Sequence, residues 1–317
     1  MQEHWDLNHV YVRHPELFKY DFIRNSKLTM GLLEIEGKIE GLFGYFFYNE
    51  NPVPDIGGML WTVTKKANNT IPLSGVKLRD FVLNNVKHRF FGSPGAGLQT
   101  KQIYKLIGSE WIELDHFVGT FSNHKLPTKI NFEGGILSRN EKKYPLFQIT
   151  KFEHFQMIEN KIFKSQFPEK DLGYLNWRYF EHPYNKYTIW LIEHEFSQYI
   201  VVTRIQKLHN ELILRVVDFI GEPKFAPAAI YNVYSQSSKT HSLTYVDFVA
   251  SGFDKKEFFK FGFVSIDFND PRIYVPNLFE PLVERSTQVY ANSYKGFENV
   301  TMVRGNGDQD RPNLKNI

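Results

Sequence analysis

Asp55-Ile56-Gly57-Gly58-Met59-Leu60-Trp61-Thr62-Val63 is an apolar run with two adjacent glycines inside it, and how it is read decides the fold. It reads as a buried strand. Glycine weakens a strand, so Gly57-Gly58 marks a bulge or a place where a ligand's backbone comes close. A polar loop, Lys65 to Ser74, follows it, and in Gly75 to Leu83 the apolar residues Leu78, Phe81 and Val82 recur at helical spacing. Arg89-Phe90-Phe91-Gly92 reads as a second strand that breaks into Ser93-Pro94-Gly95-Ala96-Gly97. A short helix from Thr100 to Ile107 carries Tyr104 and stops at Gly108. This is a βαβα unit, and a phosphate-bearing ligand would sit at its open end, on the N-terminus of the first helix.

The unit belongs to a duplicated chain. Leu7-Asn8-x2-Tyr11-x2-His14-Pro15, followed by Lys19-Tyr20, returns as Leu175-Asn176-x2-Tyr179-x2-His182-Pro183, followed by Lys186-Tyr187. A hairpin, Leu28 to Gly37 and Ile39 to Phe47, follows the first copy, and strands at Tyr187 to Ile192, Tyr199 to Lys207 and Leu212 to Ile220 follow the second. Asp55-Ile56-Gly57 corresponds to Asp218-Phe219-Ile220-Gly221, and Tyr104-x3-Gly108 to Phe258-x3-Gly262. Asn131 to Lys143, rich in Gly, Asn, Glu and Lys, reads as the linker. Two α/β domains are therefore expected, 1–143 and 144–317, each a mixed twisted sheet flanked by helices. In the second half Gly221-Glu222-Pro223-Lys224-Phe225-Ala226-Pro227 replaces the longer phosphate loop. Its prolines lack amide donors and its acid repels phosphate.

Composition narrows the class. The chain has 317 residues, 42% hydrophobic and 23% charged, which suits a globular protein of one large or two ordinary domains. No run of eighteen apolar residues suggests a membrane span, and Met1-Gln2-Glu3-His4-Trp5-Asp6 lacks the basic-then-apolar pattern of a leader. Zero cysteines exclude disulfides and thiolate chemistry, so a cytoplasmic location is expected. A formal charge of +3 is too small and too scattered to point to nucleic acid. The eleven histidines show no ligand spacing, and Glu193-His194-Glu195 reads as a solvated turn, so no metal is expected.

The order of hairpin, glycine-bearing strand, phosphate loop, helix, strand and Tyr-x3-Gly helix resembles the GNAT acyltransferase superfamily, once in each half. The whole chain is similar to the tandem-GNAT proteins of bacterial surface-polysaccharide gene clusters. That likeness rests on Leu175 to Tyr179 with His182-Pro183, Val217 to Gly221, Pro276 to Pro281 and the terminal Gly305 to Asn313. The resemblance implies acyl transfer from acyl-CoA, acetyl-CoA foremost, to an amine without a covalent enzyme intermediate. It assigns the pantetheine arm to the strand at Trp61, Thr62 and Val63, and the pyrophosphate to the loop from Thr70 through Leu73, Ser74 and Gly75 to Val76. Of the superfamily's loop pattern only Gly75 matches; Thr70 stands for a basic or amide residue and Leu73 for a glycine. Tyr104 matches the tyrosine that protonates the leaving thiolate, where the second half has Phe258.

Each candidate has a plainer reading beside the functional one. Tyr104 either packs on the sheet or acts as a general acid, and Asp55 either opens a strand or orients the amine. Gly57 and Gly58 are strand irregularities or points of ligand approach. The Gly95 and Ala96 amides close a loop or meet the acyl carbonyl. Trp177 and Arg178 lock a helix onto the sheet or hold the base and phosphate of a substrate. Asp308 and Asp310 lie in a polar tail that is disordered or folds back onto the acceptor. The expected function is CoA-dependent N-acylation of an amino sugar, nucleotide-linked, for surface polysaccharide. Its rivals are a tandem-GNAT aminoacyl transferase using charged tRNA and a non-catalytic binding module. The acyl group, the sugar and the oligomeric state are not encoded in any recognisable pattern.

Overall fold

A computed structural model describes residues 9–24, 26–121, 130–132, 134–138, 144–194, 197–208, 210–276, 287–310 and 312. Leu7, Asn8, the stretch from Asn277 to Pro281 and part of the expected linker (133 and 139–143) lie outside the described residues.

The first half opens with helices α1 (Val10–Arg13) and α2 (Pro15–Phe22), a small ribbon of β1 (Ile23–Arg24) and β2 (Lys27–Leu28), and the hairpin β3 (Met30–Ile35) and β4 (Lys38–Phe47). Glu36 and Gly37, at φ 52° and 77°, make the tight turn that the Glu-Gly-Lys sequence announces. Then come β5 (Asp55–Val63), α3 (Lys65–Thr70), α4 (Ser74–Asn85), β6 (Phe90–Pro94), α5 (Lys101–Leu106), β7 (Glu110–Glu113) and β8 (Asp115–Gly119). Helix α3 stands where the sequence suggests only a loop. Thr64 caps it, its hydroxyl oxygen accepting from the Ala67 amide at 3.1 Å. The second half has β9 (Leu146–Ile149), α6 (Leu172–Leu175), β10 (Thr188–His194), β11 (Ser197–Leu208), β12 (Glu211–Ile220), α7 (Ala226–Ser237), β13 (Leu243–Ser251), α8 (Lys255–Lys260), β14 (Val264–Ser265), β15 (Tyr290–Ser293) and β16 (Met302–Val303).

These strands build two mixed sheets of like order. The first runs β3-β4-β5-β6-β15-β7; the second runs β14-β8-β13-β12-β11-β10-β9, with β16 on β13. In each the one parallel pair is central: β5 with β6, and β12 with β13. The α/β architecture expected from the sequence is thus present twice. The sheets, however, do not divide at residue 143. Strand β8, from the first half, lies between β13 and β14 of the second sheet, and β15, from the second half, lies between β6 and β7 of the first. Each half lends the other a strand.

Helix α4 covers the first sheet through a cluster of Phe43, Ile56, Leu78, Val82 and Phe91. Helix α7 covers the second through Ala229, Ile230 and Val233, which pack with Val201, Val216 and Phe248. A third cluster spans the halves, joining Phe22, Phe46 and Tyr48 to Tyr174, Trp177, Val217 and Ile220. The duplicated motif sits beside it. His14 meets Tyr184 edge-on at 5.6 Å, and His182 meets Tyr20 at 5.2 Å, so each copy's histidine packs on a tyrosine following the other copy.

Candidate active site

The site begins where two central strands part. β5 and β6 pair only at Asp55 with Phe90 and Ile56 with Phe91, and beyond those residues they splay. The splay is sharpened by a bulge on β5. The register with β4 shifts across Phe43 and Gly44, opposite Leu60, which takes φ 57°. The irregularity expected at Gly57-Gly58 therefore sits at Leu60; both glycines are required by packing, and Gly58 also lines the opening. A side chain at Gly57 would strike the ring of Phe46, and one at Gly58 would press on Phe91. Across the splay the Ser93 hydroxyl donates to the Gly58 carbonyl at 2.8 Å, satisfying a strand acceptor that has lost its neighbour.

The opening forms a cavity of about 230 Å³. Phe43, Gly58, Trp61 and Phe91 line one side and the Ser93 to Gly97 turn the other, with Tyr104 of α5 at the edge. His9, Asn292 and Asp308 complete it, one from the N-terminal segment and two from the second half of the chain. Tyr104 is 7% exposed. Its ring lies between the indoles of Trp61 at 5.8 Å and Trp111 at 5.9 Å. Burial pushes its hydroxyl pKa up to about 12, with Asp308 adding to the rise and Arg79 opposing it. The phenol therefore holds its proton at neutral pH and can donate it. Packing and proton donation are both open to the same residue.

The other expected site residues divide into those near the cavity and those elsewhere. Trp61 lines it, whereas Thr62 and Val63 do not; they lie in register with Leu42 and Gly41 of β4, and Val63 packs with Trp61 beside Gly75. Thr70 ends α3, and Leu73, at φ 58°, turns the chain into α4, whose first turn holds Ser74, Gly75 and Val76. The Trp61 indole donates to the Gly75 carbonyl at 3.1 Å, tying that turn to the rim. Gly95 and Ala96 line the cavity, but their amides donate to the Tyr290 carbonyl at 2.8 and 3.2 Å. They are committed to holding β15, so the expected amide contact to an acyl carbonyl is not available there.

Asp55 lies outside the cavity. It is fully buried at the far end of β5, where its carboxylate takes Arg89 in a two-point pair at 2.7 and 2.9 Å and the Glu169 amide at 2.8 Å. The expectation that it orients an amine is corrected: it fastens the segment before α6 to the first sheet. Its counterpart Asp218 does the same for the second, with Lys170 at 2.6 Å and the Tyr179 hydroxyl at 2.7 Å. Adjacent residues 169 and 170 thus bind the two duplicated aspartates.

Trp177 and Arg178 are likewise structural. Trp177 stacks on Tyr20 at 5.8 Å, and Arg178, 4% exposed, donates to the carbonyls of Gly305 and Gly307. Asp310 is buried against Arg204, at 2.9 to 3.0 Å, and the Tyr187 hydroxyl. Burial works to raise its carboxyl, and the Arg204 guanidinium outweighs that, leaving it below the usual range.

The second half's equivalent opening is filled. β12 and β13 pair from Leu212 to Val216 and then diverge, and β16 pairs with Ala250 and Ser251 in the gap. Gly305 follows, so closely placed that a Cβ would run into the Tyr179 hydroxyl. Tyr174 and Tyr48 donate to the Gly305 and Asn306 carbonyls at 2.9 and 2.6 Å. Phe258, in the place of Tyr104, is buried and stacked on Phe117 at 4.0 Å. The same segment then passes to the first cavity, where Gly307 abuts Pro94 and Asp308 reaches the rim.

His9 and Asn292 carry no motif and were not recognisable from the sequence. Asn292 enters through strand exchange, which local patterns do not encode.

No protein-family model matches the chain, and no curated protein does. Among solved structures it is similar to a GCN5-related N-acetyltransferase from Anabaena variabilis ATCC 29413, at 10% identity and TM-score 0.46, over 84% of this chain and 62% of that one. It is similar also to a conserved protein of unknown function from Enterococcus faecalis V583, at 10% identity and TM-score 0.49, over 90% of this chain and 66% of that one. A third is Saccharomyces cerevisiae N-myristoyltransferase with bound myristoyl-CoA, at 8% identity and TM-score 0.42, over 93% and 78%. The chain thus spans less than two thirds of the first two proteins' lengths. Across such distances what those proteins do does not pass to this one.

Proposed function

We propose that the protein is an acyl-CoA-dependent N-acyltransferase whose one working site is the cavity between β5 and β6, and whose acceptor is an amino sugar used for surface polysaccharide. One observation carries the reading: the splayed strands open beside a protonated, cavity-lining Tyr104, while the duplicate opening holds the chain's own β16 and Gly305. The unpaired strand edges offer backbone groups to the amides of a pantetheine arm. The pyrophosphate would lie at the N-terminus of α4, where Gly75 and Val76 precede the helix's own bonds and the helix dipole is positive.

The reaction is direct. A neutral amine attacks the thioester carbon, the carbon–nitrogen bond forms, and the carbon–sulfur bond breaks as Tyr104 gives its proton to the departing thiolate. Tyr104 still carries its proton when the thiolate departs, and the tyrosinate left behind, the stronger base of the two, takes back the proton that the attacking nitrogen must lose. Orientation between two fixed strands supplies most of the remaining advantage. The nucleotide part of the expected acceptor has less behind it, since Trp177 and Arg178 are buried in the core.

Calorimetry tests the reading first. Acetyl-CoA should bind once per chain, and thiol should be released when amino sugars are supplied. A protein that binds neither CoA nor acetyl-CoA does not have this function.

A further inference from the structure

We infer that the acceptor is recognised by the second half of the chain, through Asp308 and Asn292, and that it is a primary amine bearing no phosphate near the cleft. This rests on the acyl-transfer reading above and names the substrate class of that same site.

The cavity's electrostatics are one-sided. Among the described residues that line it Asp308 is the one carboxylate, and no lysine or arginine is present. Asp308 and Tyr104 both line the cavity and Asp308 adds to the rise in the phenol's pKa, against the larger opposing effect of Arg79, which does not line it; the carboxylate and the phenol address one space. The loop opposite accommodates it: a Cβ on Gly95, at φ 105°, would lie 2.7 Å from Asp308 Oδ1. Gln309 Nε2 donates to the same oxygen at 3.1 Å, which fixes the carboxylate's direction.

Asn292 adds a second acceptor. It is 3% exposed, and its Nδ2 donates to the Ser93 carbonyl at 3.3 Å, which sets the amide's orientation. Its Oδ1 is then left buried with no partner while the residue lines the cavity. A buried acceptor without a donor costs about 1–3 kcal/mol, which a ligand N–H recovers.

An ammonium meets both demands. It carries three N–H donors and a positive charge, and it gains from Asp308 and Asn292 together. A phosphate or pyrophosphate in the same place would face a carboxylate and a bare carbonyl oxygen, with no lysine or arginine among the described lining residues. The acceptor enters as R–NH3⁺ and passes one proton to Asp308. The neutral nitrogen then forms the amide as the thiolate takes the Tyr104 proton. The second nitrogen proton returns to the tyrosinate, and Asp308 releases its own to solvent, so one proton leaves per turnover.

Neither group belongs to the first half. Asn292 comes on the lent strand β15, and Asp308 comes at the end of the segment that fills the second opening. The duplicate half has in this way become the acceptor-binding half.

The test uses the full chain with acetyl-CoA, thiol release as readout, and two acceptors: glucosamine and its nucleotide-diphosphate-linked form. Glucosamine should be used at least tenfold better in kcat/KM. Asp308→Asn should raise the KM for glucosamine at least tenfold, with the CoA dissociation constant within twofold of wild type. Asn292→Ala should raise the same KM several-fold, and melting temperatures will separate misfolding from lost recognition. Preference for the nucleotide-linked sugar, or an unchanged KM in Asp308→Asn, overturns the inference. Should CoA fail to bind, glucosamine titrated alone decides separately: binding lost in Asp308→Asn keeps the amine subsite while the acyl-CoA reading falls, and no binding removes both.

Discussion

Tyr104 and Asp55 are both candidates in the sequence, and their environments separate them: one lines the cavity, the other is buried against Arg89 and the Glu169 amide. Tyr104 keeps its proton because burial between two indoles disfavours the phenolate. Replacing it with Phe preserves the ring and removes the donor, so turnover should fall about 10²-fold while CoA affinity holds, because proton donation acts only in the transition state. Steady-state kinetics with parallel calorimetry measures both, and equal turnover would return Tyr104 to a packing role. Asp55→Asn should do the reverse. It weakens the two-point pair with Arg89 and lowers stability by about 1–3 kcal/mol, seen as a lower melting temperature, without changing the KM of any acceptor. From sequence both residues stood as candidates on position alone. Tyr104 was legible because its spacing from Gly108 is local, whereas the Asp55 partners, Arg89 and the Glu169 amide, are 34 and 114 residues away.

At the scale of elements, local patterns told the most. The hairpin turn at Glu36-Gly37, the helix over Leu78 and Val82, and the stop at Gly108 each follow from periodicity and turn chemistry that operate within a few residues. Helix α3 did not show, because its six residues are held by the Thr64 cap and tertiary packing more than by an amphipathic period. The motif around His182 has a consequence for acid stability. Its Nδ1 accepts from the amides of Tyr184 and Asn185 at 3.1 and 2.9 Å, and burial, with Arg178 near, pushes the imidazole down to about 3. The unfolded chain takes up that proton near pH 6.5 and the folded one does not. Stability from this group is therefore complete above pH 6.5 and is lost as pH falls from there towards 3. Chemical denaturation from pH 7 to 4 should show the decline, and His182→Asn, which keeps an acceptor without a titrating ring, should make it shallower. An identical slope in the variant would place the acid sensitivity elsewhere.

For the whole molecule, the exchange of β8 and β15 means that neither half closes its own sheet. Residues 1–143 lack the strand between β6 and β7 and leave β8 without a sheet to join. That fragment should be aggregated or unfolded when expressed alone, and recovery on co-expression with 144–317 is expected. A monomeric, cooperatively melting 1–143 would contradict it. The duplication was legible because it repeats residue types in order, but the exchange was not, since a strand's identity does not name its neighbours. Gly305 is where the halves interlock most closely. Gly305→Ala should cost about 1–3 kcal/mol by forcing the segment from Val217 and Tyr179. The central claim is that acyl-CoA occupies one opening and the chain itself the other. A crystal structure of the protein with acetyl-CoA tests it most directly. The account predicts the pantetheine arm between β5 and β6, the thioester sulfur within hydrogen-bond reach of the Tyr104 hydroxyl, and residues 302–307 unmoved between β12 and β13. A CoA seated between β12 and β13 with that segment displaced, or bound away from both openings, would contradict it.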